Sequence, residues 1–162
     1  MSGRFTRAAT RSEAARIAAI YNQGMEDRVA TFETEPRSAE QILTWFAEGY
    51  PVFVSGDNQT VQAYAAAFPY RSRPCYDGVR EFSVYVAREG KGRGFGKAAL
   101  GALIDDAKAR GWWKLLSRIF PENAASRKLC AALGFREVGI YEKHGRLDGE
   151  WRDTVIVEKL LI

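Results

Sequence analysis

Between residues 91 and 97 the chain runs Lys-Gly-Arg-Gly-Phe-Gly-Lys, glycines interleaved with cations and one aromatic residue. Such spacing suits a loop that wraps an anion. Glycine lets the backbone approach a ligand with no Cβ in the way. When a helix follows, its first free N–H groups and its dipole face the bound charge. Arg93 and Lys97 add cationic side chains for the same anion. Elsewhere the usual reactive residues are scarce. His144 is the sole histidine, so a His-rich metal site is excluded and a Ser-His-Asp mechanism would have to use that residue. Cys75 and Cys130 are too few for a disulfide framework and lack metal-ligand spacing, so no metal is expected.

Glycine spacing alone is also compatible with an ordinary strand-to-helix turn. Two better-known phosphate loops fit poorly. A P-loop needs Gly-Lys followed by Ser or Thr, whereas Gly96-Lys97 is followed by Ala98. A dinucleotide fingerprint belongs near the start of a βαβ unit, with an acidic residue about 20 positions on. Here the loop lies past mid-chain, behind several strand-like segments.

Those segments and the helices between them must position the loop. Residues 4–9 read as a strand, and Thr10-Arg11-Ser12-Glu13 offers a capping box for a helix carrying Ile17, Ile20 and Tyr21 and ending near Gly24. Residues 25–37 lack periodicity and read as a loop or a short helical turn around 29–32. Ser38-Ala39-Glu40-Gln41 is a second capping box, followed by Ile42, Trp45 and Phe46 at helical spacing. Strands are expected at 50–54 and 61–70, joined by a turn at 55–58, and at 79–87. A helix over 95–110 buries Ala99, Leu103 and Ala107, and Gly111 closes it. A strand over 113–120 precedes a second helix with Leu129, Ala132 and Leu133 inward, closed by Gly134. A hairpin of 136–143 and 151–160 completes the chain. Mixed order of this kind predicts an α/β or α+β protein with helices on both faces of a sheet.

At 162 residues the chain has the size of one domain. A 46% hydrophobic and 27% charged composition is that of an ordinary globular protein, and no apolar run approaches the roughly 18 residues of a membrane span. With no apolar signal core at the N-terminus, a cytoplasmic protein is expected. The net charge of +4 is mild and scattered, which disfavours nucleic acid and a membrane surface and suits a polyanionic small molecule.

A later segment narrows the anion. Pro121-Glu122-Asn123-Ala124-Ala125-Ser126 precedes Leu129-Cys130-Ala131-Ala132-Leu133-Gly134-Phe135. Together with the glycine loop, this resembles the GNAT superfamily of N-acetyltransferases. Its motifs are a strand, Arg/Gln-x-x-Gly-x-Gly/Ala and a helix, then a strand, Asn and a helix ending in Gly-Phe. The resemblance spans residues 4–160 and implies a single domain, with a twisted mixed sheet of about seven strands flanked by about four helices. It also implies acetyl-CoA as cosubstrate. Val84, Tyr85 and Val86 would bind the pantetheine arm as an added strand. Gly92, Arg93, Gly94, Phe95, Gly96 and Lys97 would surround the pyrophosphate, and Asn123 and Ser126 would contact the pantetheine region. The alternative for Asn123 is a helix N-cap, alone or as well. Lys91 stands where the family prefers Arg or Gln, keeping the charge but losing the planar fork.

Within that superfamily the chain is similar to the phosphinothricin and arsinothricin-resistance acetyltransferases. The likeness lies in Ile20-Tyr21-Asn22, Ala30-Thr31-Phe32-Glu33-Thr34-Glu35-Pro36, Tyr70-Arg71-Ser72-Arg73-Pro74-Cys75-Tyr76, Glu81-Phe82-Ser83-Val84-Tyr85-Val86, Lys143-His144-Gly145 and Trp151-Arg152-Asp153. The implied substrate is a small amino acid with a second anionic group: phosphinothricin, methionine sulfoximine or sulfone, or arsinothricin. An ammonium must lose its proton before attacking a thioester, and Glu81 is placed to take it, directly or through a water. Its alternative is a strand Glu facing solvent or pairing with Arg80 or Arg88. Arg71 and Arg73, alternating on one face of an extended segment, suit a carboxylate and a phosphinate or arsinate, or are plain surface charge. Tyr76 can hydrogen-bond the same groups, while Phe32 and Ser83 would line the pocket, with Phe32 also suited to the core.

Many family members place Tyr in the last helix as the acid for the leaving thiolate, and the phosphinothricin enzymes place His. Cys130 stands there here, a weak donor or an inert buried thiol. His144, in the expected hairpin turn, reads as a pocket rim, a dimer contact or an exposed residue, and Trp151 suits a homodimer. Two other functions share the motifs: a catalytically silent acyl-CoA-binding module, and an acetyltransferase of protein N-termini or lysines.

Overall fold

Alanines in the central strand govern how the layers meet. The structure, a computed structural model, describes residues 3–162. Strands β1 (Arg4–Ala8), β2 (Val52–Asp57), β3 (Thr60–Pro69), β4 (Val79–Val86), β5 (Lys114–Ile119), β6 (Arg136–Leu147) and β7 (Glu150–Leu160) form one sheet in the order β1-β2-β3-β4-β5-β7-β6. Neighbouring strands are antiparallel except β4 and β5, which run parallel. Four helices cover the sheet: α1 (Ala14–Glu26), α2 (Ala39–Ala47), α3 (Phe95–Ala109) and α4 (Ala124–Ala132). This is the expected mixed sheet of seven strands with four helices.

In β3, Ala65, Ala66 and Ala67 are fully buried. Successive side chains point to opposite faces, so Ala65 and Ala67 join one core and Ala66 the other. Their small size lets helices approach from both sides. On one side α3 packs Leu100, Leu103, Ile104 and Ala107 against Phe82, Leu115, Val155 and Val157. On the other, α1 and α2 pack Ile17, Ile20, Tyr21, Ile42 and Trp45 against Val54 and Tyr64.

The first capping box forms as expected, with the Thr10 N–H donating to Glu13 Oε1 at 2.8 Å, but it opens a 3-10 turn (Arg11–Glu13) ahead of α1. In the second, the Ser38 N–H donates to Gln41 Oε1 at 2.8 Å. Several boundaries differ from expectation. α1 runs through Gly24 to Glu26, because Gly24 is kept for closeness and does not end the helix: a Cβ there would lie 2.7 Å from the Tyr85 ring. Residues 55–57 belong to β2, and the hairpin turn is Asn58-Gln59, whose φ values of +49° and +67° match the twist of a two-residue loop. Residues 29–32 form no helical turn. Ala132 is exposed, and Cys130 takes the inward position, with Leu129 and Leu133 packed beside it. β6 extends to Leu147, so Lys143, His144 and Gly145 lie within a strand at a register shift, and the turn is Asp148-Gly149.

Candidate active site

β4 and β5 pair only over Val79–Glu81 with Lys114–Leu116. One more tie, from Ser117 Oγ to the Phe82 carbonyl at 2.9 Å, closes the junction. From Ser83 to Val86, β4 has a strand partner only on its β3 side. The opposite edge is therefore free to pair with an extended ligand, and two adjoining cavities open along it. Both are lined by Ala30, Val84, Tyr85, Asn123 and Ser126.

The first cavity, of about 390 Å³, is a groove with five glycines in its lining, Gly24, Gly90, Gly92, Gly94 and Gly96. Val86, Gly92, Gly94, Phe95, Gly96 and Lys97 line it, together with Lys91 and Leu129. Gly92 and Gly94 have φ of +76° and +87°, a region that side-chain-bearing residues rarely adopt. Gly94 caps α3, and the first bond there is Ala98 N–H to Gly94 O at 3.1 Å. The N–H groups of Phe95, Gly96 and Lys97 thus remain unpaired within the helix and, with its dipole, favour an anion. Gly96 is required for packing, since a Cβ would lie 2.8 Å from Leu129 and 2.9 Å from Val86.

Cations around this groove are partly committed elsewhere. The Arg93 side chain is paired with Asp57 of β2 and lies over the Phe95 ring, so its guanidinium is engaged there, and Arg93 does not line the groove. Arg4 donates to the Arg93 carbonyl at 2.7 Å and braces the same ring. Lys91 lies 3.8 Å from Asp27, whose carboxyl is held below the usual carboxylate range by its hydrogen bond from Arg88. Lys97 makes no ion pair among the described residues and lines the groove. Asn123 does cap α4: its Oδ1 accepts from the Ser126 N–H at 3.2 Å. Its Nδ2 donates to the Val29 carbonyl at 3.1 Å, tying the 27–37 loop across the groove.

The second cavity, about 200 Å³, carries the charged residues Glu81 and Arg118 in its lining. Glu81 pairs with Leu116 across the parallel ladder, so Leu116 and Arg118 share its face. Glu81 and Ser83 on β4, Arg118 on β5 and Phe120 just past its end line the cleft. Arg118 Nη2 donates to Glu81 Oε1 at 3.2 Å, and Arg71 Nη1 lies 3.9 Å from the same oxygen. The sequence-level alternatives, pairing of Glu81 with Arg80 or Arg88, are not realised: Arg80 donates to the Asp77 carbonyl and Arg88 binds Glu26 and Asp27. Tyr85 forms a rigid floor, stacked on Tyr64 at 5.5 Å with Tyr21 tilted against it at 5.1 Å. Burial pushes the Tyr64 and Tyr85 hydroxyls well above the ordinary tyrosine range, so both stay neutral.

The remaining expected contacts divide. Phe32 meets Phe120 edge-to-face at 4.9 Å but does not itself line the cleft, and Gly145 is small because a Cβ there would lie 2.9 Å from the Phe32 ring. Residues 71–73 form a bend leading into a 3-10 turn (Pro74–Tyr76), not an extended segment, so Arg71 and Arg73 do not share a strand face. Arg71 lies over Tyr70, donates to its carbonyl at 3.1 Å and reaches towards Glu81. Arg73 is exposed and Tyr76 packs on Tyr70 at 5.6 Å; neither lines the cleft. Cys130 lines the cleft, but burial pushes its thiol up to about 12, above the roughly 8.5 of an ordinary thiol. Proton transfer from Cys130 to a departing thiolate is therefore uphill. His144 is exposed and packs on Tyr141 at 4.8 Å.

Arg118 is the residue that sequence reasoning passed over. Its signal was a lone cation in the apolar run Leu115-Leu116-Ser117-Arg118-Ile119-Phe120, placed opposite Glu81 once the ladder register is known. Among the described residues no group of three or more His, Cys, Asp or Glu is arranged to hold a metal, and no helix is long and apolar enough to cross a membrane. The free β4 edge, the positive-φ glycines and the open start of α3 fit a ligand with an extended polar arm ending in phosphates.

Comparison with known proteins agrees with that geometry. Residues 17–135 match the acetyltransferase (GNAT) family. The chain is 34% identical to a phosphinothricin N-acetyltransferase of Streptomyces coelicolor, covering 88% of this chain and 87% of that protein. It is 33% identical to an L-methionine sulfoximine/L-methionine sulfone acetyltransferase of Salmonella typhimurium, covering 94% and 91%. The solved structure of yncA, a putative acetyltransferase from Salmonella typhimurium with its cofactor acetyl-CoA, superposes with a TM-score of 0.94 at 30% identity over 99% of this chain and 95% of that one. Family match, curated similarity and fold converge: this chain belongs to the GNAT family of acetyltransferases.

Proposed function

We propose that this protein transfers the acetyl group of acetyl-CoA to the α-amino group of a small anionic amino acid of the phosphinothricin, methionine sulfoximine, methionine sulfone or arsinothricin type, with Glu81 as general base. The observation that carries this reading is the Glu81 carboxylate, flanked by Arg118 and Arg71, in a cleft that meets the glycine-lined groove at Val84 and Tyr85. The names of the similar enzymes, a phosphinothricin and a methionine sulfoximine acetyltransferase, support the substrate class.

Bound acetyl-CoA supplies an acyl carbon activated as a thioester. Val84–Val86 hold the arm by strand-like hydrogen bonds, and the α3 start and Lys97 hold its phosphates. Asn123 and Ser126 flank the junction of the two cavities. Glu81 accepts the proton of the substrate ammonium, directly or through a water, leaving a nitrogen lone pair for attack. As the N–C bond forms and the C–S bond breaks, the electron pair leaves on sulfur; the nitrogen sheds its second proton to solvent as the amide forms, and solvent protonates the thiolate because Cys130 is too weak an acid. A free backbone N–H at the end of β4 is suited to the developing negative charge on oxygen. Ser83, Phe32 and Phe120 shape the cleft, with Arg71, Arg73 and Tyr76 as candidate anion contacts outside its lining. The exposed Ile140, Tyr141 and Trp151 of β6 and β7 support a homodimer through this hairpin.

The test is thiol release from acetyl-CoA across a panel of anionic amino acids, neutral amines and peptides with free N-termini. We expect turnover with one or more anionic amino acids, reduced about 10²- to 10⁴-fold in Glu81→Gln. Acetyl-CoA binding with no turnover of any amine, or turnover of peptides alone, would overturn the proposal.

A further inference from the structure

We propose that Arg118 receives the substrate's α-carboxylate by exchange of ion-pair partners with Glu81, and so sets the enzyme's preference for amino acids over simple amines. The inference extends the reading of an amino acid approaching Glu81 and rests on it.

The two arginines beside Glu81 differ in how they are held. Arg71 is anchored by the Tyr70 ring and carbonyl, and its guanidinium is 3.9 Å from the carboxylate. Arg118 is nearer, at 3.2 Å, and Glu81 is its only hydrogen-bond or ion-pair partner among the described residues. A guanidinium has five N–H donors in a planar fork, so most of Arg118's capacity is unused while its side chain lies half-exposed in the cleft. An ion pair with this much solvent access is weak, whereas a bidentate carboxylate contact engages two parallel N–H donors.

The Glu81–Arg118 pair is also the charge complement of the proposed substrate. An α-amino acid carries ammonium and carboxylate on a single carbon. Its ammonium can take Arg118's place against Glu81 while its carboxylate takes Glu81's place against Arg118. Each protein charge loses one partner and gains another, and the amine arrives at the base in the same movement. An amine without a carboxylate makes only half of this exchange: it must displace Arg118 and leaves that guanidinium without an anion.

The test compares an anionic amino acid that the enzyme acetylates with its decarboxylated amine, in wild type, Arg118→Gln and Arg118→Lys. We expect Arg118→Gln to cut the ratio of kcat/KM for the amino acid over the amine at least tenfold. The loss should fall on the amino acid's KM and be matched by weaker binding in calorimetry with CoA present. Arg118→Lys should restore part of the ratio, and unchanged melting temperatures would separate the effect from misfolding. An Arg118→Gln enzyme that keeps the wild-type ratio overturns the proposal. Glu81→Gln distinguishes the two readings: if kcat survives that change while Arg118→Gln still erases the preference, Glu81 is not the base and Arg118 remains the carboxylate receptor. Wild-type turnover of uncharged amines alone overturns both.

Discussion

The groove and the cleft meet at Val84 and Tyr85 but differ in lining: glycines in the first, the charged residues Glu81 and Arg118 in the second. The groove offers a ligand main-chain groups: the open edge of β4 and the N–H groups at the start of α3. The cleft offers side chains, Glu81 and Arg118 above all. A backbone site constrains sequence by what must be absent, a Cβ at Gly96 or a negative φ at Gly92 and Gly94. A side-chain site constrains it by what must be present. Chemistry shared by a whole family can reside in the first, while selectivity among amines must reside in the second.

Substitutions can separate the two regions. The largest effect is expected from Glu81→Gln, a loss of about 10²- to 10⁴-fold in kcat with acetyl-CoA affinity little changed; stopped thiol release and calorimetry check both halves. An equal loss of acetyl-CoA binding would break the division. Gly96→Ala should do the reverse, weakening acetyl-CoA binding about tenfold or more and destabilising the fold by about 1–3 kcal/mol, because its methyl group meets Leu129 and Val86. Gly101→Ala, in the same helix with open space around it, should instead stabilise by about 0.5–1 kcal/mol and leave binding alone. Chemical denaturation of the pair separates helix propensity from contact.

Asn123→Ala touches both regions. It removes the α4 cap, worth about 1 kcal/mol, and the tie to Val29 that holds the 27–37 loop over the groove. KM for acetyl-CoA and for the amine should therefore both rise. A rise in only one would assign the tie to that side. The smallest effect is expected at Cys130. Cys130→Ala should leave kcat within about threefold, since a thiol raised to about 12 is no acid for a thiolate. At pH 8 a thiol reagent should label exposed Cys75 and spare buried Cys130 in the folded enzyme.

Legibility in the sequence follows the same division. The helix over 95–110 and the Asn123 cap were readable because local signals, glycine spacing and a capping residue, determine them. Gly24 misled because it resembles a helix stop, while its smallness answers to Tyr85, far away in sequence. The turn assigned to residues 55–58 failed for a similar reason: Gly56 and Asp57 are turn formers by type, yet they pair with Phe5 and Arg4 of β1. Arg71 and Arg73 appeared equivalent by spacing, but the bend that follows β3 sends only Arg71 towards Glu81.

By itself the sequence determined the family, the order of elements and the glycine-spaced start of α3. Each is written in short runs whose backbone preferences act locally. Only the tertiary structure decided what stands beside Glu81. Arg118 is 37 residues away in the chain and reaches that carboxylate because β5 returns parallel to β4 in a register that puts both residues on one face. The same register ends after three pairs, and the gap it leaves is the cleft. A strand's own residues specify its alternation; its partner and register come from the packing of α3, α4 and the terminal hairpin around it.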